Sequence, residues 1–176
     1  MFKNMFFLNP VRKQSIASAS FKQRLIFSLR QKIINVGTYF GFMNIDYTYV
    51  HGNKKRVLIG ENCSTMNSIL NVISGSIHIG DNTILGHNCM LLTGTHNFKN
   101  GKRISLLDNH DEEETPKTGR DIIIGEGCFI GSGVSIIGPV TIGNNVIIAS
   151  GSVVNKNIND YSLVGGIPAK LIKKLI

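Results

Sequence analysis

Apolar residues recur at every sixth position from Ile124 to Asn159. Read in sixes, the stretch is IGEGCF, IGSGVS, IIGPVT, IGNNVI, IASGSV and VNKNIN, led by Ile124, Ile130, Ile136, Ile142, Ile148 and Val154. An amphipathic helix repeats its apolar positions every three or four residues, so this step excludes one. The fifth position (Cys128, Val134, Val140, Val146, Ser152, Ile158) is small or β-branched, which suits an inward site on a short strand. The second position is Gly in three of the six units and small in a fourth. That marks a corner which tolerates little side chain or needs unusual backbone angles. Short strands joined by corners, with three hexads to a turn, predict an all-β solenoid, a parallel β-helix. Residues eighteen apart then stack: Ile124 on Ile142, Ile130 on Ile148, Ile136 on Val154.

The first half follows the same rule less evenly. Ile73, Ile79, Leu85 and Leu91 keep the step through ISGSIH, IGDNTI, LGHNCM and LLTGTH, while Ile59 opens IGENCS in another register. A two-residue insertion or bulged corner near Met66–Asn71 accounts for the slip. Over residues 97–121 the rhythm stops in a polar stretch with Gly, Pro and a run of acids, read as an arm projecting from one corner. Loops of that length in compact folds are usually functional or disordered. Upstream, Ser15–Val36 reads as a basic helix with a broken apolar stripe (Ile16, Ala19, Phe21, Ile26, Phe27, Ile33, Ile34), and Gly37 is its stop. The chain thus divides into a basic segment, 1–56, and a β-helix, 57–176, whose tail is 161–176.

Composition adds a constraint on partners. A chain of 176 residues, 42% apolar, holds one compact domain with an appendage. The net charge of +8 suggests nucleic acid until it is located: residues 1–56 carry +9 and the rest −1. No nucleic-acid partner is therefore expected. The basic helix either caps the open end of the solenoid or, with the Phe-rich start, rests on anionic lipid through residues 1–36. No stretch approaches the roughly twenty apolar residues of a membrane span, and Met1–Leu8 is too short for a signal peptide. A cytoplasmic location is expected, with peripheral contact on the inner face of the membrane only in the second case. Cys63, Cys89 and Cys128 lack CxxC spacing and all fall at the fifth position of a hexad, so they read as buried small hydrophobes.

The hexad ladder, the GTHNF segment that interrupts it and the tail GGIPAKLIKKL resemble the left-handed β-helix acyltransferases of the hexapeptide-repeat superfamily. More narrowly, they resemble bacterial sugar O-acetyltransferases of surface-polysaccharide synthesis. The resemblance covers Val57–Ile176. It implies a left-handed coil, a homotrimer with sites between subunits, acetyl-CoA as donor, a carbohydrate acceptor and no metal.

Attack of a hydroxyl on a thioester needs a base, and an imidazole of pKa about 6.5 suits cytoplasmic pH. His96 closes LLTGTH where the ladder gives way to the arm, and its place matches the family's catalytic histidine. The resemblance further implies that Ser132, Ser150, Asn155 and Lys156 line a coenzyme groove, with Lys170 and Lys173 at its nucleotide end. The polar residue that the family carries on the coil below falls at Met66, with Asn67 beside it as the substitute acceptor contact. Asn97 stands where several polysaccharide relatives carry Asp and is a candidate acceptor contact; a charge run such as Asp111–Glu114 is usually solvated, yet the arm that carries it with Asp108 and His110 could meet an acceptor. No acid to orient His96 is identified. His51, His78 and His87 read as surface or packing residues. Three other functions share these features: N-acetylation of a nucleotide-linked amino sugar, a silent scaffold of a capsule-synthesis complex, and a zinc-dependent carbonic anhydrase. The last would use His87 and His96 as two of three ligands.

Overall fold

The computed structural model describes residues 48–107 and 113–176, together with Leu25, Leu29 and Lys32. Those three are helical and exposed; the rest of the expected basic helix lies outside the described residues. The chain divides into two compact units, Met1–Ile45 and Asp46–Ile176. The solenoid begins earlier than the expected boundary at residue 57, because Tyr49–His51 is already a strand, paired in parallel with Ile69–Asn71. Among the described residues no helix is long and apolar enough to cross a membrane.

Three parallel sheets form the faces of the second unit. The first stacks Tyr49–His51, Ile69–Asn71, Met90–Leu92, Ser135–Ile137 and Val153–Val154. The second stacks Val57–Ile59, Ile77–Ile79, Ile122–Ile124 and Val140–Ile142. The third stacks Ser64–Thr65, Ile84–Leu85, Phe129–Ile130, Ile147–Ile148 and Ser162–Gly165, and Lys170–Lys174 closes it as an antiparallel edge. Register follows the six-residue prediction: Ile124 pairs with Ile142, Ile130 with Ile148 and Ile136 with Val154. These side chains are almost wholly buried and form one continuous core along the axis. Burial of this kind contributes about 25 cal/mol per Å² of apolar surface, so each coil depends on the next for its stability.

The slip in the first half has a different form from the one expected. Thr65, Leu70 and Ile79 occupy successive inward sites, pairing with Leu85, Leu91 and Ile124. The first corner is therefore short and the second long. Ile73 does not lead a hexad; it sits half-buried in the long corner, and Leu70 takes the ladder site. The extra residues are held by Thr93 and by the returning end of the arm: Ser74 N–H donates to Thr93 Oγ1 (3.2 Å), and Ser76 N–H to Asp121 Oδ1 (2.6 Å).

The corners separate two demands. Positive φ falls at the fourth position, on Asn62, Asn82, Asn88 and Asn145 (φ 54 to 59°) and on Gly127, Gly133 and Gly151 (φ 65 to 71°). Asn and Gly are the residues that enter this region most readily. Glycine at the second position answers crowding instead: a Cβ on Gly80 would lie 2.7 Å from the Gly125 carbonyl carbon of the next coil. The fifth-position side chains bond between coils. Cys63 and Cys128 thiols reach the Gly80 and Gly143 carbonyls at 3.1 Å, Thr83 Oγ1 reaches Gly125 at 2.8 Å and Cys89 reaches Gly131 at 3.3 Å. Burial pushes the Cys89 and Cys128 thiols up from their ordinary values, which keeps them protonated donors.

Gly80→Ala forces the coils apart and is expected to lower stability by about 1–3 kcal/mol. Gly133→Asn, at an open corner of the kind that Asn occupies elsewhere, should stay within about 0.5 kcal/mol of wild type. Thermal unfolding of both variants checks this, and equal losses would refute the separation of roles.

Candidate functional site

His96 emerges where the first face ends at Met90–Leu92. Thr93 anchors that exit: its Oγ1 donates to Asn71 O (2.9 Å), and its own carbonyl accepts from Arg120 Nε (2.8 Å). Gly94 lies against the Asn71 side chain, and a Cβ there would sit 2.8 Å from its amide and displace it. The chain then leaves the solenoid. Phe98–Lys99 pairs with Lys102–Arg103 around Asn100 and Gly101, whose φ of 51 and 75° fit the tight hairpin turn favoured by an Asn-Gly pair. A 3-10 turn, Ile104–Leu106, follows with Ile104 buried. At the arm's root, Arg56 Nη1 donates to the carbonyls of Val72 (3.3 Å), Ile73 (3.2 Å) and Lys117 (2.8 Å), fastening the returning leg to the long corner.

The returning leg supplies the acid that the sequence did not reveal. Glu114 Oε1 lies 3.2 Å from His96 Nδ1 and 3.9 Å from Arg103 Nη1. A hydrogen bond from the Ser105 hydroxyl, with the nearby His96 and Arg103, holds the Glu114 carboxyl below its usual range. A carboxylate can only accept, so Nδ1 carries the hydrogen of the neutral ring. The lone pair is then on Nε2, and the His96 side chain is 55% exposed. This fixes the tautomer a general base needs.

The remaining predicted residues divide among separate places. Asn97 turns into the arm, its Nδ2 donating to Glu113 O (2.8 Å) and its backbone N–H to Glu114 O (2.7 Å). Asn67, with φ of 50°, occupies the corner between the third and first faces. Ser132 and Ser150 lie on the same edge, where Ser132 Oγ accepts from His87 N–H at 3.2 Å. Asn155 and Lys156 follow Val153–Val154 and belong to the edge that bears His96. The predicted coenzyme residues are thus split between two edges of one chain. Asn67 and His96 are likewise separated by the first face. Lys170 and Lys173 pair with Gly165 and Leu163, which places both on the outward side of the last strand pair. Lys174 turns the other way, donating to Asp160 O (3.2 Å) and Ser162 Oγ (3.3 Å). Asp108 and His110 lie outside the described residues. His87 and His96 stand on different edges, and among the described residues no three His, Cys, Asp or Glu gather as a metal-binding group.

Residues 121–156 match the model of the family described as bacterial transferase hexapeptide (six repeats). A maltose O-acetyltransferase of Clostridium difficile 630 has 30% identity and a TM-score of 0.58, over 74% of this chain and 67% of its own. The chain belongs to the hexapeptide-repeat acetyltransferase superfamily. Another solved member of this superfamily, a hexapeptide-repeat acetyltransferase of Vibrio cholerae in complex with acetyl-CoA, has 27% identity and a TM-score of 0.61, over 74% of this chain and 67% of that one. A provisionally named lipopolysaccharide-biosynthesis O-acetyltransferase of Escherichia coli K12 is 28% identical over 56% of this chain and 50% of its own length. The chain spans about half the length of the curated relatives it matches.

The lowered Glu114 carboxyl sets a pH dependence. Its contribution to folding is complete above the ordinary glutamate value of 4.5 and is lost as pH falls through the lowered folded-state value. In thermal melts from about pH 5 to pH 3, the gap between wild type and Glu114→Gln should close. A gap that persists unchanged in acid would contradict this.

Proposed function

We propose that this chain moves an acetyl group from acetyl-CoA to a sugar hydroxyl of a surface polysaccharide or its precursor, with His96 as general base. The observation that carries the reading is the His96–Glu114 contact at 3.2 Å, which leaves Nε2 as the accepting atom at the solenoid's edge. In the proposed reaction the acceptor oxygen attacks the thioester carbonyl as Nε2 takes its proton. The tetrahedral intermediate collapses, the C–S bond breaks and the proton passes to the departing thiolate. No acetyl-enzyme forms. Glu114 stabilises the imidazolium between the two transfers, as an acid paired with a catalytic histidine does elsewhere.

Two edges of one chain carry the candidate coenzyme contacts, Ser132 and Ser150 on one and Asn155 and Lys156 on the other. Both sets line a single groove only when two copies stand side by side, which is why a homotrimer belongs to this proposal, along with the left-handed winding of its coil. Lys170 and Lys173, on one side of the last strand pair, suit the coenzyme's phosphates. The choice of a polysaccharide hydroxyl over an amine draws on the Escherichia coli relative, which is named for O-acetyl transfer in lipopolysaccharide biosynthesis. A cytoplasmic enzyme whose basic residues 1–36 meet the inner membrane surface would reach a lipid-linked acceptor.

Incubation of nucleotide sugars and oligosaccharides with labelled acetyl-CoA should yield one product heavier by an acetyl group, labile to mild base as an ester is. His96→Ala should lower its formation by about a hundredfold or more without dispersing the oligomer. Acetylation that survives this substitution, or arrives on an amine, would overturn the assignment. Replacing Lys170 and Lys173 by Ala should raise KM for acetyl-CoA more than it lowers kcat.

A further inference from the structure

The Glu114 carboxylate is more than a third exposed and sits on a long arm, so neither burial nor the ion pair itself holds it in place. Exposed pairs of this kind contribute little, because solvent and salt screen them. The Ser105 hydroxyl bonds the carboxylate directly, but the backbone that carries Glu114 to the imidazole needs an anchor of its own. The backbone on both sides of the acid is gripped by one residue. Asn97 N–H donates to Glu114 O at 2.7 Å, Asn97 Nδ2 donates to Glu113 O at 2.8 Å, and Asn97 O accepts from Ile104 N–H at 3.1 Å. Ile104 is itself buried, which closes the hairpin as a fixed loop. Asn97 is also peptide-bonded to His96.

We infer that Asn97 is a positioning residue of the His96–Glu114 pair, fixing the acid's backbone through consecutive carbonyls so that His96 keeps its hydrogen on Nδ1 and its lone pair on Nε2. The inference rests on the reading of His96 as base. The side chain has to be a hydrogen-bond donor of this length. Asp has the same shape, but its ionised oxygen meets the Glu113 carbonyl without a proton to share, and Ala leaves only the backbone bond. A polar residue beside a catalytic histidine would ordinarily be assigned to the acceptor. Here its donor is already engaged with the arm, and its contribution reaches the acceptor through the imidazole.

The test uses the full chain with ¹⁵N-labelled histidine, the His96 resonances being identified by their absence in His96→Gln. Wild type should show the Nδ1–H tautomer. Asn97→Asp and Asn97→Ala should both shift His96 to a mixture of tautomers, as should Glu114→Gln. Thiol release from acetyl-CoA alone, with water as acceptor, should fall about tenfold in each while KM for acetyl-CoA holds. Combining Asn97→Ala with Glu114→Gln should add no further loss, because both act through one contact. A wild-type tautomer and rate in Asn97→Asp would overturn the inference, and so would losses that multiply in the double variant. His96→Ala with undiminished thiol release would instead overturn the base assignment, leaving the tautomer to judge Asn97.

Discussion

Hydrogen bonding between parallel strands holds successive coils about 4.8 Å apart, and the rest of the solenoid is fitted to that spacing. Gly80, Gly125 and Gly131 lie where backbone from the next coil comes too near for a Cβ. The inward ladder of Ile and Leu fills the gap along the axis, and the fifth-position thiols and hydroxyl reach carbonyls one coil away. A single spacing thus decides which positions are small, which are apolar and which donate. Propensity of individual residues for strand matters less than whether each fits the repeat.

That dependence explains where the site can be. A face cannot be interrupted without losing a rung of the ladder, but a corner can. Leu91 still pairs with Ile136 although the whole arm intervenes. His96 stands at the exit of such a corner, fastened by Thr93, Asn71 and Arg120 to the rigid coils and exposed on its far side. Arg56 and Asn97 then tie the returning leg to the same corner, so an exposed acid arrives beside the imidazole at a definite distance.

Much of the solenoid was legible because its rule is local: a residue's place follows from counting by six, and the pairings from Ile124 to Val154 obey that count. Ile73 misled because the count resumed in phase while the chain took a short corner and then a long one, a compensation visible only once Leu70 is seen to pair with Leu91. The fourth-position Asn and Gly were present in the pattern, yet their left-handed backbone carries no hydrophobic signature. His96 is singled out by its place at the break. Glu114 was concealed within a run of acids that reads as solvated, and only folding of the arm selects it. Asn97 was assigned to the acceptor for a related reason: its partners, Glu113 and Glu114, lie across a loop whose path no local pattern specifies.

The arm joins the coils at one corner and leaves their register intact. Its length and composition can therefore drift without disturbing the ladder, and each doubling of a flexible loop costs only about 0.6 kcal/mol in closure entropy. The scaffold and the element beside His96 are free to diverge at different rates. Across descendants of such a chain, a change of substrate would be written first in the insertion, while the coils that carry it stay nearly the same.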